Sequence, residues 1–122
     1  MGHRIDQDEQ IFHLDLDTGM SGSRTIEQAV PVLQSRPELW GWDWIVNVPA
    51  VPTDVTVEDV ARLADLFPKP DRQGITAFAS ADRFLHLWAR VMDFQFPGRK
   101  HLVVPDVAAA GRIIGLRRAQ GI

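Results

Sequence analysis

The chain of 122 residues contains no cysteine, which excludes disulfides, thiolate metal sites and cysteine nucleophiles. It also has no apolar run near the roughly 20 residues that a membrane-spanning helix needs. Its first residues lack the apolar stretch of a signal peptide. These absences predict a cytoplasmic protein with no membrane partner.

Basic residues are too few and too scattered to form a nucleic-acid surface. There are 13 Lys and Arg against 16 Asp and Glu, a formal net charge of −3. Outside the adjacent pairs Arg99-Lys100 and Arg117-Arg118, the basic residues are dispersed. Because a duplex-binding surface needs clustered basic residues, we expect no nucleic-acid partner.

The sequence also lacks the motifs of common enzyme classes. The chain has no Gly-x-Ser-x-Gly elbow and no phosphate-binding loop ending in Gly-Lys-Thr. A phosphoacceptor receiver domain could recruit Asp54 and Ser80, but it needs a lysine after the last strand, and Lys100 precedes that strand. An acid–base enzyme would need Asp54 and a histidine in one pocket. We therefore predict no enzyme activity and no cofactor.

One strand face, with His13, Asp15 and Asp17, offers nitrogen and oxygen atoms of the kind that bind divalent metals. Alternation along a half-buried strand produces the same pattern with these side chains in solvent. No second cluster of such residues lies nearby in the sequence, so we predict no metal site.

The strongest strand signal is residues 42–48, rich in Trp, Ile and Val and followed by prolines. Apolar residues on both sides of its alternation predict a strand covered on both faces. Sites in α/β proteins gather beyond the carboxyl ends of such strands. The loop there places Thr53, Asp54 and Thr56 as a candidate regulatory site.

Periodicity elsewhere gives the element order ββαβαβαβα, which predicts a single α/β domain over residues 1–122. We expect a mostly parallel mixed sheet with an N-terminal antiparallel hairpin and about four helices. Thr56, Ser80 and Asp106 are predicted to cap helices two, three and four, and Ser23 helix one. Helix three is predicted to bury four residues at helical spacing, Phe84, Leu87, Trp88 and Val91.

In this order the chain resembles a STAS domain, of the SpoIIAA-like group of small bacterial proteins. The resemblance lies in the opening hairpin, the strand 44–48, and the ending 75–80 and 101–114. It implies a non-enzymatic regulatory or protein-interaction module like the anti-sigma-factor antagonists. That family's phosphorylated Asp-Ser-Gly signature is absent, since residues 52–57 read Pro-Thr-Asp-Val-Thr-Val. Only Thr53 and Thr56 offer hydroxyls there, and Thr56 is better explained as a helix cap.

The aromatic and Met residues suit a packed core, and they also suit an exposed interface. The interface hypothesis requires Trp40 or Trp42, and a margin of helix three formed by Leu85, Trp88 and Met92, to stay partly exposed. A flat apolar patch there would favour a protein partner or a homodimer. A margin that leads into a cavity would favour the alternative, a small apolar ligand or lipid bound in a cleft between helices two and three.

Overall fold

The computed structural model describes residues 2–16, 21–51, 54–66 and 74–121. It confirms the predicted α/β class and element order, and adds one short 3-10 helix, η1, before the third strand. The elements are β1 Gly2–Asp6, β2 Ile11–Asp15, α1 Gly22–Ser35, η1 Pro37–Gly41, β3 Asp43–Asn47, α2 Val57–Asp65, β4 Ile75–Ala79, α3 Leu85–Gln95, β5 Lys100–Val104 and α4 Val107–Ala119.

The five strands form one sheet in sequence order, β1-β2-β3-β4-β5. β1 pairs antiparallel with β2, and every later pair is parallel. In the register, Phe12 lies opposite Trp44, and Val46 lies opposite Phe78. A hairpin can join antiparallel strands, whereas each parallel pair needs a crossover, which α1, α2 and α3 provide.

β3 separates two apolar cores, as its sequence predicted. Trp44 and Val46 belong to the larger core with residues of α1, α2 and α3. Ile45 faces the smaller core, where it packs with Ala110 and Ile114 of α4. Because successive side chains of a strand point to opposite faces, α1–α3 cover one face of the sheet and α4 covers the other.

Arg118 ties α4 to the start of β3. Its Nε donates to Oδ2 of Asp43 at 2.8 Å, and its Nη atoms donate to the carbonyls of Glu9 and Gln10. The other carboxylate oxygen of Asp43 accepts from the backbone N–H of Ile75 at 2.9 Å. The buried Asp43 thus joins three elements at the amino ends of the strands.

Side-chain caps begin three helices. Thr56 and Asp59 form the predicted capping box at α2, and Asp106 accepts from the N–H of Ala109 at α4. At α1 the cap is Ser21, which accepts from the N–H of Arg24, so the prediction of Ser23 was wrong. The first turn begins two residues earlier than the sequence pattern indicated.

α3 differs most from its prediction. It begins at Leu85 with no side-chain cap, and the hydroxyl of Ser80 accepts instead from the N–H of Asp82. Its buried residues are Leu85 and Ala89, whereas Phe84 and Leu87 are 70% and 67% exposed. Apolar side chains occur all around this helix, so periodicity allowed either of two faces to be buried. Packing buries the face with Leu85 and Ala89 and exposes the predicted face with Phe84 and Leu87.

No helix in these four ranges is both long and apolar enough to cross a bilayer.

Candidate ligand-binding cavity

The loop after β3 holds helix ends together. The carboxylate of Asp54 accepts from the N–H of Gly22 at 2.8 Å, at the start of α1. Thr56 is engaged in the capping box of α2. A Cβ added at Gly22 would lie 2.2 Å from Cγ2 of Val55, so only glycine permits this contact. Thr53 lies outside the described residues. The bonds of Asp54 and Thr56 are structural, and their regulatory role stays a prediction.

The expectation that Trp40 or Trp42 is exposed was wrong, because both side chains are buried. η1 folds Trp40 back over the sheet, where its ring centroid lies 5.4 Å from that of Trp44 and 6.4 Å from that of Phe96. The indole N–H of Trp44 donates to the carbonyl of Leu39 at 2.7 Å. Four aromatic residues thus belong to the interior.

The predicted margin of α3 also points inward. Leu85 is only 3% exposed, while Trp88 and Met92 are half-buried. Together with Trp40 these three side chains line a cavity of about 150 Å³ between α1–α3 and the sheet. The remaining lining residues are Leu14, Leu16, Gly22, Thr25, Ile26, Ala29, Leu33, Trp44, Val46, Val48, Val51, Val55, Val60, Leu63, Thr76, Phe78, Phe96, Arg99 and His101.

The wall of the cavity runs along β3 and is buried at one end. Its residues on β3 extend from Trp44 to Val48, a span of about 13 Å at the rise of a strand. At the amino ends of the strands its lining residues, such as Phe96 and Arg99, are buried. The half-exposed residues of the wall form its rim. They are Ile26, Leu63, Trp88 and Met92 on the helices, together with Leu16, Thr25, Val51 and Val55.

Arg99 is the charged residue of the closed end, and the main chain engages its guanidinium. Its Nε donates to the hydroxyl of Thr76 at 2.8 Å, and its Nη1 to the carbonyl of Trp40 at 3.0 Å. Its Nη2 donates to the carbonyls of Trp42 and Ile75 at 2.8 and 3.2 Å. Burial lowers the pKa of Arg99 to about 10, so it remains a cation at neutral pH.

His101 is the other titratable residue of the closed end. Its Nδ1 lies 3.0 Å from Oδ1 of Asp93, which also accepts from the backbone N–H of His101 at 2.7 Å. Burial is the main reason that the pKa of His101 falls to about 4, against the opposing effect of Asp93. The ring is therefore neutral at pH 7, and Nδ1 donates its proton to the carboxylate.

His13 and Asp15 lie on β2, at the predicted candidate metal-binding face. Nε2 of His13 lies 3.0 Å from Nη2 of Arg4, a cation rather than another ligand. Within the parts of the chain that the structure describes, no group of three or more His, Asp or Glu side chains could hold a metal ion. Asp17 lies outside those parts.

Sequence patterns missed the wall that α1 contributes and the role of Arg99. The spacing of Ile26, Ala29 and Leu33 indicated a buried helix face, but a spacing cannot distinguish a packed core from a cavity wall. Arg99 follows Gly98, whose φ of 89° marks a tight turn before β5. Nothing local shows that this turn directs a guanidinium inward.

No protein-family model matches the chain, and no curated protein or solved structure matches it either.

Proposed function

We propose that this protein binds a small apolar molecule in the cavity between α1–α3 and the sheet. The observation that carries the proposal is the cavity itself, about 150 Å³ with walls built almost wholly from apolar side chains. Native interiors are close-packed and contain few voids larger than a water molecule. A dry engineered cavity of about this size in another protein admits benzene.

Energetics favour a bound ligand over an empty space. The side chains of the wall lack packing partners on the side that faces the cavity. Water gains little there, because it needs two to four polar partners and the wall presents no polar surface to the cavity. An apolar ligand restores the missing contacts without needing partners for hydrogen bonds.

Ala29 allows a direct test, since it lies in the wall and is buried. We expect benzene to raise the melting temperature of the wild type and to shift the methyl resonances of Ile26. Ala29→Phe fills the space and should abolish both effects. The matched control is Ala108→Phe on the exposed side of α4, which should respond as the wild type does. The proposal is contradicted if saturating benzene changes neither the melting temperature nor the methyl resonances of the wild type.

A second candidate function is docking of a protein partner, as the STAS resemblance implies. It is favoured by the outer face of α3, where Phe84, Leu87 and Phe94 are 70%, 67% and 80% exposed. Arg83 is exposed beside these residues, whereas Arg90 bonds to Asp93 and to the carbonyl of His101. Exposed apolar residues beside a basic side chain fit an apolar partner surface with acidic neighbours.

Affinity capture from a lysate of the host tests this second candidate. A specific partner should be retained by the wild type and by Leu116→Ser, a control at an exposed leucine of α4 on the opposite face. Leu87→Ser and Phe94→Ser should both lose it. Equal capture by all four proteins would place the contact elsewhere.

A further inference from the structure

We infer that the ligand is a single-chain amphiphile, with its hydrocarbon tail at the closed end of the cavity and its polar head at the rim. This inference rests on the proposed ligand binding and specifies its chemical class. It depends on three properties of the cavity: its length, the state of its polar groups, and the position of its opening.

Length favours a chain over a compact ring system. The wall residues on β3 span about 13 Å, and residues near both ends of α1, Gly22 and Leu33, also lie in the wall. An extended alkyl chain advances about 1.3 Å per carbon, given C–C bonds of about 1.5 Å, so about ten carbons span this length. The volume, comparable with a cavity that holds benzene, sets a lower figure of about six carbons.

The polar atoms of the closed end do not face the cavity. Arg99 uses four of its five N–H groups in hydrogen bonds within the chain, one of them to Thr76, and Nδ1 of His101 bonds to Asp93. The surface that the wall presents to the cavity is apolar throughout. A carboxylate or hydroxyl placed at this end would have to displace these bonds or remain unpaired, and either outcome is costly. The surrounding surface comes from Trp40, Trp44 and Phe96, so the tail belongs here.

The opening lies where water can solvate a head group. Ile26 of α1, Leu63 of α2, and Trp88 and Met92 of α3 are half-exposed members of the wall. Because the half-exposed residues of the wall lie at this rim, a chain that enters here leaves its polar end at the surface. The head can then keep its hydration while the tail loses contact with water.

A series of straight-chain primary alcohols tests the inference by calorimetric or NMR titration. Affinity should rise about fourfold for each added methylene, the value for full burial of that group. The rise should stop at a length between about six and ten carbons, where the tail reaches the closed end. An α,ω-dicarboxylate of the optimal length should bind at least about tenfold more weakly, because one carboxylate would be forced inside.

Leu33→Trp should shorten the cavity and move the plateau to shorter alcohols, while Leu116→Trp on α4 should leave it unchanged. If Leu33→Trp does not fold, the alcohol series measured on the wild type still tests the inference. Binding of benzene without any dependence on alcohol length would overturn the chain inference and leave the proposed function intact. Equal binding of the dicarboxylate and the alcohol would overturn the tail-first orientation. Failure of benzene and of every alcohol to bind would overturn both proposals.

Discussion

The guanidinium of Arg99 lies over the indole of Trp44, with its Cζ 4.8 Å from the ring centroid. The electron-rich face of the indole stabilises the buried cation, and the N–H groups of the cation donate hydrogen bonds to the surrounding carbonyls. The pair forms the floor of the closed end of the cavity and fastens η1 to the starts of β3 and β4.

Arg99→Met should destabilise the protein by about 2–4 kcal/mol, because it leaves three buried carbonyls without their donor. Arg99→Lys should recover only part of this loss, since an ammonium has three donors and no planar fork. Lys100→Met changes an exposed neighbour and should cost less than about 0.5 kcal/mol. Urea unfolding measures all three, and equal midpoints for Arg99→Met and the wild type would contradict the structural role.

Two leucines of α3 test which side of the helix is buried. Leu85→Ala should cost about 2–5 kcal/mol, because Leu85 is 3% exposed and packs in the larger core. Leu87→Ala, the same truncation at a position that is 67% exposed, should stay within about 0.5 kcal/mol. Chemical denaturation of both variants decides the matter. A larger loss for Leu87→Ala would restore the inward face predicted from the sequence.

Acid should weaken the fold through His101. Its folded pKa is about 4, below the ordinary 6.5, so between these values the unfolded chain binds a proton that the folded chain does not. Stability from this group is complete above pH 6.5 and falls as the pH drops toward 4, by about 2 kcal/mol at pH 5. Urea midpoints at pH 7 and pH 5 measure the loss.

Variants separate the contributions of the histidines to this loss. His101→Gln should show a smaller difference between pH 7 and pH 5, and the exposed His86→Gln should keep the wild-type difference. His13 also contributes to the loss of stability in acid, because burial and then Arg4 lower its pKa. Burial alone would raise the pKa of Asp93, but hydrogen bonds from His101 lower it, so its own contribution is lost only at more acidic pH. An undiminished loss in His101→Gln would exclude His101 as the cause.

The sequence by itself determined the α/β class, the element order and the central position of β3. These follow from local patterns: alternation along a strand, helical spacing, and caps such as Thr56 and Asp106. β4 shows this, because four of the five residues of Ile75–Ala79 are apolar and all five are buried. The resemblance to STAS domains stays a prediction.

Only the tertiary structure decided what the apolar residues do. The sequence allowed Trp40, Leu85, Trp88 and Met92 to belong to a packed core, an exposed interface or a cleft, and in the structure they line a cavity. Periodicity reports that a face is apolar, but which face meets the sheet depends on long-range packing, as in α3. A cavity is the volume that three helices and a sheet fail to fill, so no local segment encodes it.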